Sequence, residues 1–382
     1  MTFLSMIFHQ IRRRRWRTIL TIAGMSVAIC AVVALRGIAD GFERGFCEVF
    51  EGRGVDLIVV EGGLTEQLTS SLDESLTAKL KELPGVKDVA CMLLEVLAFE
   101  KEGLLGVIVQ GWPSDAIMYR DLKMSAGRRP SAGEAQSAML GSILARNMNK
   151  KVGDKVEIDR EQFTVVGIFE SFNIFENGAM VVPLSELQRV MRRPGQVTAF
   201  SLVLHDGKEK DQHAAAVCKQ IDGFTTPTGK RMRLTALPTK DYVSNTLQIR
   251  IAHAMAWATS AIALIIGAIG ILNTMMTSVL ERTREIGILR AIGWRRSRII
   301  VMILLEALIL CIGGALLGAG LARFLTFGMT QTPGVQGFIQ GDISTAVVVQ
   351  GIVLAAVVGV IGGLYPAWRA SRLAPTEALR HE

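Results

Sequence analysis

Residues 281–299 read ERTREIGILRAIGWRRSRI, and this stretch decides how the rest of the chain is interpreted. It holds six arginines and two glutamates, and it lies between two long apolar segments. Short arginine-rich loops between apolar helices are retained on the cytoplasmic side of a membrane. The stretch therefore predicts a short charged helix that lies between two membrane spans and faces the cytoplasm.

The composition indicates a membrane protein with room for one or two soluble domains. Half of the 382 residues are hydrophobic, and the mean hydropathy is positive, which is too apolar for an ordinary soluble chain. The net charge of +7 raises the question of nucleic-acid binding. Because the arginines cluster beside apolar segments, they fit the positive-inside rule better than a basic binding groove. We therefore expect no nucleic-acid partner.

The N-terminal residues 1–17 predict an interfacial helix that ends in a basic anchor. The anchor consists of Arg12, Arg13, Arg14, Arg15 and Arg17. A cleaved signal peptide is the alternative, but the uncharged run at 18–35 is longer than a usual signal-peptide core and has no clear cleavage site. We predict a first span over 18–40 that runs outward from these arginines.

Residues 41–245 differ in composition and predict a mixed α+β domain outside the membrane. Charges are frequent, Gly and Pro interrupt the pattern, and about 200 residues are enough for a separate core. Strands are predicted at 56–61, 86–100, 104–112, 180–183 and 199–205, with two more after a tight turn at Gly153 and Asp154. Helices are predicted at 72–83, 184–191 and 211–221.

Three further apolar segments predict the remaining spans. They are a stalk and second span at 246–280, a third span at 299–322 and a fourth at 343–368. Residues 241–253 are expected to be helical and continuous with the second span. The charged helix is placed at 281–298, an outer loop at 323–342, and a cytoplasmic tail with Arg369 and Arg372 as anchors at 369–382.

The predicted fold class is a membrane α-helical protein with four transmembrane helices and an inserted extracytoplasmic α+β domain. The arginine distribution places both termini in the cytoplasm, with the protein in the inner (plasma) membrane. The spans also contain small-residue repeats that allow close helix contact, either within one protomer or across a dimer. These repeats are Gly314/Gly318 and Ala355/Gly359/Gly363.

Glu306 interrupts the third span with a carboxylate, and Asn273 is a polar residue in the second. Polar groups inside membrane spans often have a function. A structural role is the alternative for Glu306, in which it bonds to a neighbouring helix or to an arginine at the membrane surface. Both interpretations remain open for Glu306.

The sequence contains no pattern of an ATP-binding or metal site. The pairs Gly207-Lys208 and Gly229-Lys230 lack both the earlier glycine and the following Ser or Thr of a phosphate-binding loop. Neither an HExxH motif nor a Cys/His cluster occurs, and the five cysteines do not suggest a disulfide framework. No cofactor or metal is expected in this chain, so any energy for work must come from a partner.

Several stretches resemble MacB/LolC/FtsX-type ABC transporter permeases. Residues 239–299, which include NTMMTSVLERTREIGILRAIGWRRSRI, resemble the second span and the coupling helix of this family, and YPAWRASRLAPTEALR at 365–380 resembles its ending. Three shorter pieces resemble its extracytoplasmic domain, and they lie in the expected order: GRRPSAGE at 127–134, KVGDKVEI at 151–158 and VVGIFES at 165–171.

The resemblance implies a non-catalytic permease subunit, and a separate ABC ATPase subunit would bind ATP. It also implies a second permease, identical or paralogous, and mechanotransmission, in which ATP-driven closure moves the outer domain through the coupling helix and the stalk. The expected cargo is hydrophobic or amphipathic, such as a lipoprotein, lipid, peptide or drug. A membrane-fusion protein and membrane lipids are further expected partners.

The resemblance assigns the ATPase contact to the coupling helix, through Glu281, Arg282, Arg284, Glu285, Ile286, Gly287, Arg290, Ala291 and Gly293. From the residues alone, the apolar positions Ile286, Ile288, Leu289 and Ile292 are expected to form a buried face. Gly293 is expected to end the helix.

Two other classes of function are weighed against transport. An FtsX-like transmembrane relay that activates an extracellular hydrolase is the alternative, although 200 residues outside the membrane exceed what such relays usually carry. An enzyme is the third class, and no catalytic constellation supports it. A neighbouring gene for a membrane-fusion protein or a peptidoglycan hydrolase would separate export from the relay.

Overall fold

The computed structural model describes residues 15–205, 210–225, 231–330 and 343–373, which divide into two compact units. A helical unit contains residues up to 40 together with 252–328 and 343–373, and an α/β unit contains residues 41–251 and 329–330. The predicted N-terminal interfacial helix with Arg12, Arg13 and Arg14, most of the outer loop and the end of the tail lie outside the described residues.

The described residues form eleven α-helices, three single-turn 3-10 helices and twelve strands. The helices are α1 Arg15–Glu51, α2 Leu76–Lys81, α3 Ser142–Asn147, α4 Ile174–Asn177, α5 Leu184–Val190, α6 Lys210–Asp222, α7 Thr239–Asn245, α8 Leu247–Glu281, α9 Thr283–Ala291, α10 Arg296–Thr330 and α11 Thr345–Ser371. The strands are β1 Leu57–Glu61, β2 Leu72–Asp73, β3 Val86–Phe99, β4 Leu104–Trp112, β5 Lys123–Gly127, β6 Ser137–Gly141, β7 Lys155–Ile158, β8 Glu161–Glu170, β9 Met180–Pro183, β10 Gln196–Val197, β11 Ala199–Leu204 and β12 Leu234–Pro238.

Four helices, α1, α8, α10 and α11, are long and apolar enough to cross a membrane. They overlap the four predicted spans, so the predicted fold class is confirmed. Helix α10 extends to Thr330, so residues 323–330, which were predicted to belong to the outer loop, are helical. At 1.5 Å rise per residue, the 37 residues of α1 exceed the thickness of the hydrocarbon core, which is about 30 Å. Helix α1 continues past residue 40, where we placed the end of the span, and residues 41–51 belong to the α/β unit.

Glycines in α10 and α11 allow the helices of the helical unit to pack closely. A Cβ atom added at Gly318 would lie 2.4 Å from the backbone oxygen of Ser26 in α1, and one at Gly359 would lie 2.8 Å from Sγ of Cys311 in α10. Such distances are far below van der Waals contact, so only glycine fits at these positions. The small-residue repeats therefore serve contacts within one protomer.

The α/β unit is built on a ten-stranded sheet in the order β12-β1-β11-β3-β4-β9-β6-β8-β5, with β7 paired to β8. Most pairs are antiparallel, while β4–β9 and β6–β8 are parallel. Both faces are covered, because alternate residues of β1 enter different cores. Leu57 lies in the core with α2, α3, α5 and α6, whereas Ile58 lies in the core with the end of α1 and with α7.

Seven predicted elements are confirmed within one or two residues at each end. They are the strands at 56–61, 86–100, 104–112, 180–183 and 199–205 and the helices at 184–191 and 211–221. The strands predicted after Gly153 and Asp154 are β7 and β8. The helix predicted at 72–83 is wrong at its start, where β2 pairs with β10 through Asp73 and Gln196. An apolar residue can face the core from a strand or a helix, and periodicity alone does not separate the two over so short a segment.

The predicted continuous helix over residues 241–253 is also wrong, because Thr246 separates α7 from α8. Thr246 has an extended backbone, with φ −61° and ψ 132°. Its hydroxyl lies 3.0 Å from the backbone oxygen of Tyr242 and 3.3 Å from the side-chain oxygen of Gln67. A Thr side chain that bonds to nearby backbone oxygen competes with regular helix, and a break of one residue leaves the apolar pattern unchanged.

The GRRPSAGE stretch forms a compact loop in the α/β unit. Both guanidinium Nη atoms of Arg128 donate to the carboxylate of Glu134 at 2.7 Å, and the backbone N–H of Ser131 donates to the same carboxylate at 2.8 Å. These bonds favour the ionised carboxylate and lower the pKa of Glu134 to about 2. The Glu134 carboxylate is therefore ionised at physiological pH.

Candidate functional site

The charged stretch forms a separate short helix, α9, between the two long helices α8 and α10. Arg282 interrupts the helical backbone, with φ −114° and ψ 17°, so that α9 begins at Thr283. At its other end, Gly293 has φ +97°. Its N–H donates to the Arg290 oxygen, and the N–H of Trp294 donates to the Leu289 oxygen, both at 3.1 Å. This is a Schellman motif, which confirms Gly293 as the predicted helix end.

Arg282 and Glu306 form a buried ion pair between the start of α9 and helix α10. Nη1 of Arg282 donates to Oε2 of Glu306 at 2.9 Å, and the two side chains are 9% and 8% exposed. Glu285 lies 3.6 Å from Nε of the same arginine. A buried charge in a helical membrane unit requires a partner, because isolation from water makes an unpaired charge costly. The interpretation that Glu306 bonds to an arginine is confirmed.

Arg282, for which the sequence predicts an ATPase contact, is buried, and that contact stays a prediction. Its guanidinium group is directed to Glu306 and not to the solvent. Gly287 and Ile286 are buried as well, which places them on the face of α9 that packs against the rest of the helical unit. The sequence pattern marks these residues as part of the charged helix, but it does not say which face each of them occupies.

The solvent-exposed face of α9 combines apolar and charged residues. Its members share a helical spacing of three or four residues and are Arg284, Glu285, Ile288, Ala291 and Ile292. Ile288 is 43% exposed and Ile292 is 74% exposed. The predicted buried face is therefore correct for Ile286 and wrong for Ile288 and Ile292. Residues two apart on a helix do not share a face, so Ile286 and Ile288 cannot both be buried against one surface.

Arg290 has an intramolecular role at the end of α9. It is half-buried, and its Nη1 atom donates to the backbone oxygen of Trp294 at 2.9 Å. The ring of Trp294 also lies 5.8 Å from the guanidinium carbon of Arg298, within the range of a cation–π contact. These contacts stabilise the turn between α9 and α10.

The predicted basic anchors bring the ends of three helices together. Arg17 in α1 donates to the Glu281 carboxylate at 2.7 Å and to the Ser278 hydroxyl at 3.0 Å, both in α8. Nη1 of Arg369 in α11 lies 3.8 Å from the sulfur of Met276 in α8. The exposed Arg15 begins α1, and Arg372 lies 4.1 Å above the Trp368 ring. Glu281 is therefore bound to Arg17, a contact that sequence reasoning missed.

Comparison with known proteins places this arrangement in a family. The MacB-like periplasmic core domain matches residues 18–219, and the FtsX-like permease C-terminal domain matches residues 257–375. The chain is 28% identical over 418 residues to "Macrolide export ATP-binding/permease protein MacB" of Chlorobium luteolum, and this alignment covers 100% of the chain and 60% of that protein. It is 25% identical over 416 residues to the protein of the same name from Bdellovibrio bacteriovorus, and this alignment covers 98% of the chain and 61% of that protein.

A further relative matches over nearly its whole length. The chain is 24% identical over 409 residues to "Uncharacterized ABC transporter permease YknZ" of Bacillus subtilis, and this alignment covers 99% of the chain and 98% of that protein. Among solved structures, the periplasmic region of MacB from Actinobacillus actinomycetemcomitans covers 56% of the chain at 13% identity, with a TM-score of 0.38. The two domain matches account for the α/β unit and for the membrane helices that follow it, so the chain belongs to the MacB/FtsX-type family of ABC transporter permeases.

Proposed function

We propose that the exposed face of α9 is the surface on which a separate ABC ATPase docks. The observation that carries this proposal is the apolar pair Ile288 and Ile292, which are exposed at the centre of a face that also presents Arg284 and Glu285. Apolar residues surrounded by charges are typical of a docking surface, because the apolar centre provides affinity and the charges provide specificity. The partner would bind ATP, and this chain would need no cofactor.

Movement of the docked ATPase would reach the membrane helices through the start of α9. Only Arg282 separates α8 from α9, and its buried bond to Glu306 ties the same point to α10. A displacement of α9 therefore acts on two long helices at once. Helix α8 continues without interruption from Glu281 back to Leu247, and its first residues, up to Ile251, belong to the α/β unit. In the proposed mechanism, this helix transmits the movement as a stalk.

The cargo that this mechanism would move is hydrophobic or amphipathic. The MacB relatives are named for macrolide export, and the chain spans about 60% of their length. We extend to this chain only the general class, namely export or extraction from the outer side of the inner membrane. A second permease, identical or paralogous, and a membrane-fusion protein complete the proposed assembly, with both termini in the cytoplasm.

The proposal is tested by purifying the tagged full chain from its own cells in mild detergent and identifying co-purified proteins by mass spectrometry. An ABC ATPase is expected with the wild type. With the double variant Ile288→Glu/Ile292→Glu, the amount of co-purified ATPase should fall at least about tenfold, since about 1.4 kcal/mol of binding energy corresponds to a factor of ten. Ser297→Glu is the control for added charge, because it places one carboxylate, half of what the double variant adds, at an exposed position outside the face, and it should retain the ATPase.

Two results would contradict the docking surface: an absence of any ATPase from the wild-type preparation, or equal recovery with the double variant. The same preparation distinguishes transport from the FtsX-like relay. The FtsX-like match over residues 257–375 keeps the relay as the second candidate function. A co-purified membrane-fusion protein would support transport, and a peptidoglycan hydrolase would support the relay.

A further inference from the structure

An open apolar groove lies within the α/β unit, apart from the coupling helix. Its volume is about 480 Å³, which is in the range of pockets that hold small molecules. Phe46 of α1, Val96 of β3 and Ile108 of β4 line its walls, and Phe175 and Tyr242 are buried at its floor. Burial raises the pKa of Tyr242 to about 12, which agrees with a poorly solvated floor. At the rim, Val96 remains 51% exposed.

A smaller recess of about 60 Å³ shares several residues with the groove and extends it inward. Leu94 and Ile108 line both cavities. The recess ends at the ion pair of Arg53 and Glu176, whose side chains are both buried. Because each of these two charges has its partner, the inner end of the cavity presents no net charge to an occupant.

The groove carries negative charge at its rim. Among the described residues, its lining contains the carboxylates of Glu66 and Glu95 and no Lys, Arg or His. Arg193 neutralises Glu95 through a bond of 2.9 Å. Glu66 accepts a hydrogen bond of 2.9 Å from the side-chain amide of Gln248, which is neutral and leaves the charge of the carboxylate uncompensated. A carboxylate beside apolar walls attracts a cation whose remaining surface is apolar.

We propose that this groove binds an amphiphile with one positively charged head group, which is placed at Glu66, and an apolar body that packs against Phe46, Val96 and Ile108. The proposal rests on the proposed function for the role of the occupant, which would be the cargo of the permease. The apolar walls provide affinity through burial, and Glu66 selects the charge of the head group.

The groove is also built from two of the helices that connect the α/β unit to the helical unit. Phe42 and Phe46 belong to α1, and Ile249 belongs to α8. An occupant would therefore contact two helices that also contain the first and second spans. If the occupant bound more tightly to one position of these helices than to another, it would shift the equilibrium between the two positions. The shift in free energy would equal the difference between the two binding free energies of the occupant.

The test uses the full chain in lipid nanodiscs without any ATPase. The probe is an alkyl trimethylammonium that carries a photoreactive diazirine, and an alkyl sulfonate of equal length with the same diazirine is its counterpart. Mass spectrometry locates the labelled peptides, and the labelling of α10 corrects for the partition of each probe into lipid. We expect corrected labelling of groove peptides to favour the cation by about tenfold, which corresponds to about 1.4 kcal/mol.

Three variants make the test specific. Glu66→Gln should reduce the preference for the cation to near unity while the apolar walls remain. Ile108→Trp should block groove labelling by both probes. Leu105→Trp is the matched control, because Leu105 lies on the same strand, is 78% exposed and does not line the groove, so its labelling should equal that of the wild type.

The proposal is overturned if both probes label the groove equally or if Ile108→Trp leaves labelling unchanged. Since the assay contains no ATPase, this failure would leave the docking of an ATPase on α9 untouched. Conversely, loss of the docking surface would not alter the probe result.

Discussion

At the level of single residues, Arg282 joins the short helix α9 to the long helices α8 and α10. Its backbone ends the run of α8, and its side chain bonds to Glu306 in α10, where both groups are buried. Removal of one member of a buried ion pair is more harmful than removal of both, because the remaining charge has no water and no partner. The pair therefore fixes the base of α9 and keeps the exposed face of this helix in a defined orientation.

This view predicts a specific order of stabilities among variants. Arg282→Met should destabilise the helical unit by about 3–5 kcal/mol, because it leaves the Glu306 carboxylate buried and unpaired. The double variant Arg282→Met/Glu306→Met should recover most of this loss, and the exposed Arg284→Met should change stability by less than about 0.5 kcal/mol. Thermal unfolding of the detergent-solubilised chain measures all three. If the double variant were the least stable of them, the proposed role of the pair would be wrong.

At the level of elements, glycine determines how α10 packs on α1. Gly314 and Gly318 lie one helical turn apart, and added Cβ atoms would come within 2.7 Å of Met25 Cβ and 2.4 Å of the Ser26 oxygen. Close backbone approach of this kind stabilises helix pairs in lipid through van der Waals packing. The hydrophobic effect does not favour helix–helix contact there, because lipid tails are as apolar as the side chains.

The neighbouring glycine of the same helix provides a control for this packing. Gly318→Val should force α10 away from α1 and destabilise the helical unit by about 1–3 kcal/mol, the usual cost of overpacking. Gly320→Val should cost much less, because an added Cβ there meets no atom within 4 Å. Unfolding by a denaturing detergent, followed by circular dichroism, compares the two. Equal destabilisation would show that helix propensity, and not contact with α1, explains the loss.

The elements also show which features the sequence could predict. Long apolar segments identify the four spans, and residue types that favour strands identify β3 and β4. Alternating apolar residues identify β7 and β8, because burial on one face imposes a period. The break at Thr246 and the exposure of Ile292 leave that period unchanged, so they could not be predicted. The bond between Arg282 and Glu306 could be predicted in part from the sequence, since a carboxylate inside a span indicates that a cation lies near it. The groove combines six or more separate segments, and no local pattern identifies it.

At the level of the whole molecule, the order of elements along the chain constrains the topology. The α/β unit is inserted between α1 and α8, and α9 follows α8. The start of α1 and the end of α8 meet through Arg17 and Glu281. If α1 and α8 each cross the membrane once, residues 41–245 and α9 must lie on opposite sides. From the arginines at the start of α1 and in α9, we expect the α9 side to be the cytoplasmic one.

Cysteine labelling of intact spheroplasts tests this assignment, with the five native cysteines first replaced by alanine. A cysteine introduced by Glu100→Cys, at an exposed position beside the β3–β4 turn, should react with a membrane-impermeant maleimide from outside. One introduced by Ser297→Cys, exposed at the start of α10, should react only after permeabilisation. The two positions control for each other, since a leaky membrane would label both. If Ser297→Cys reacted first, α9 would face outward, where no cytoplasmic ATPase can reach it, and the coupling proposal would fail together with the topology.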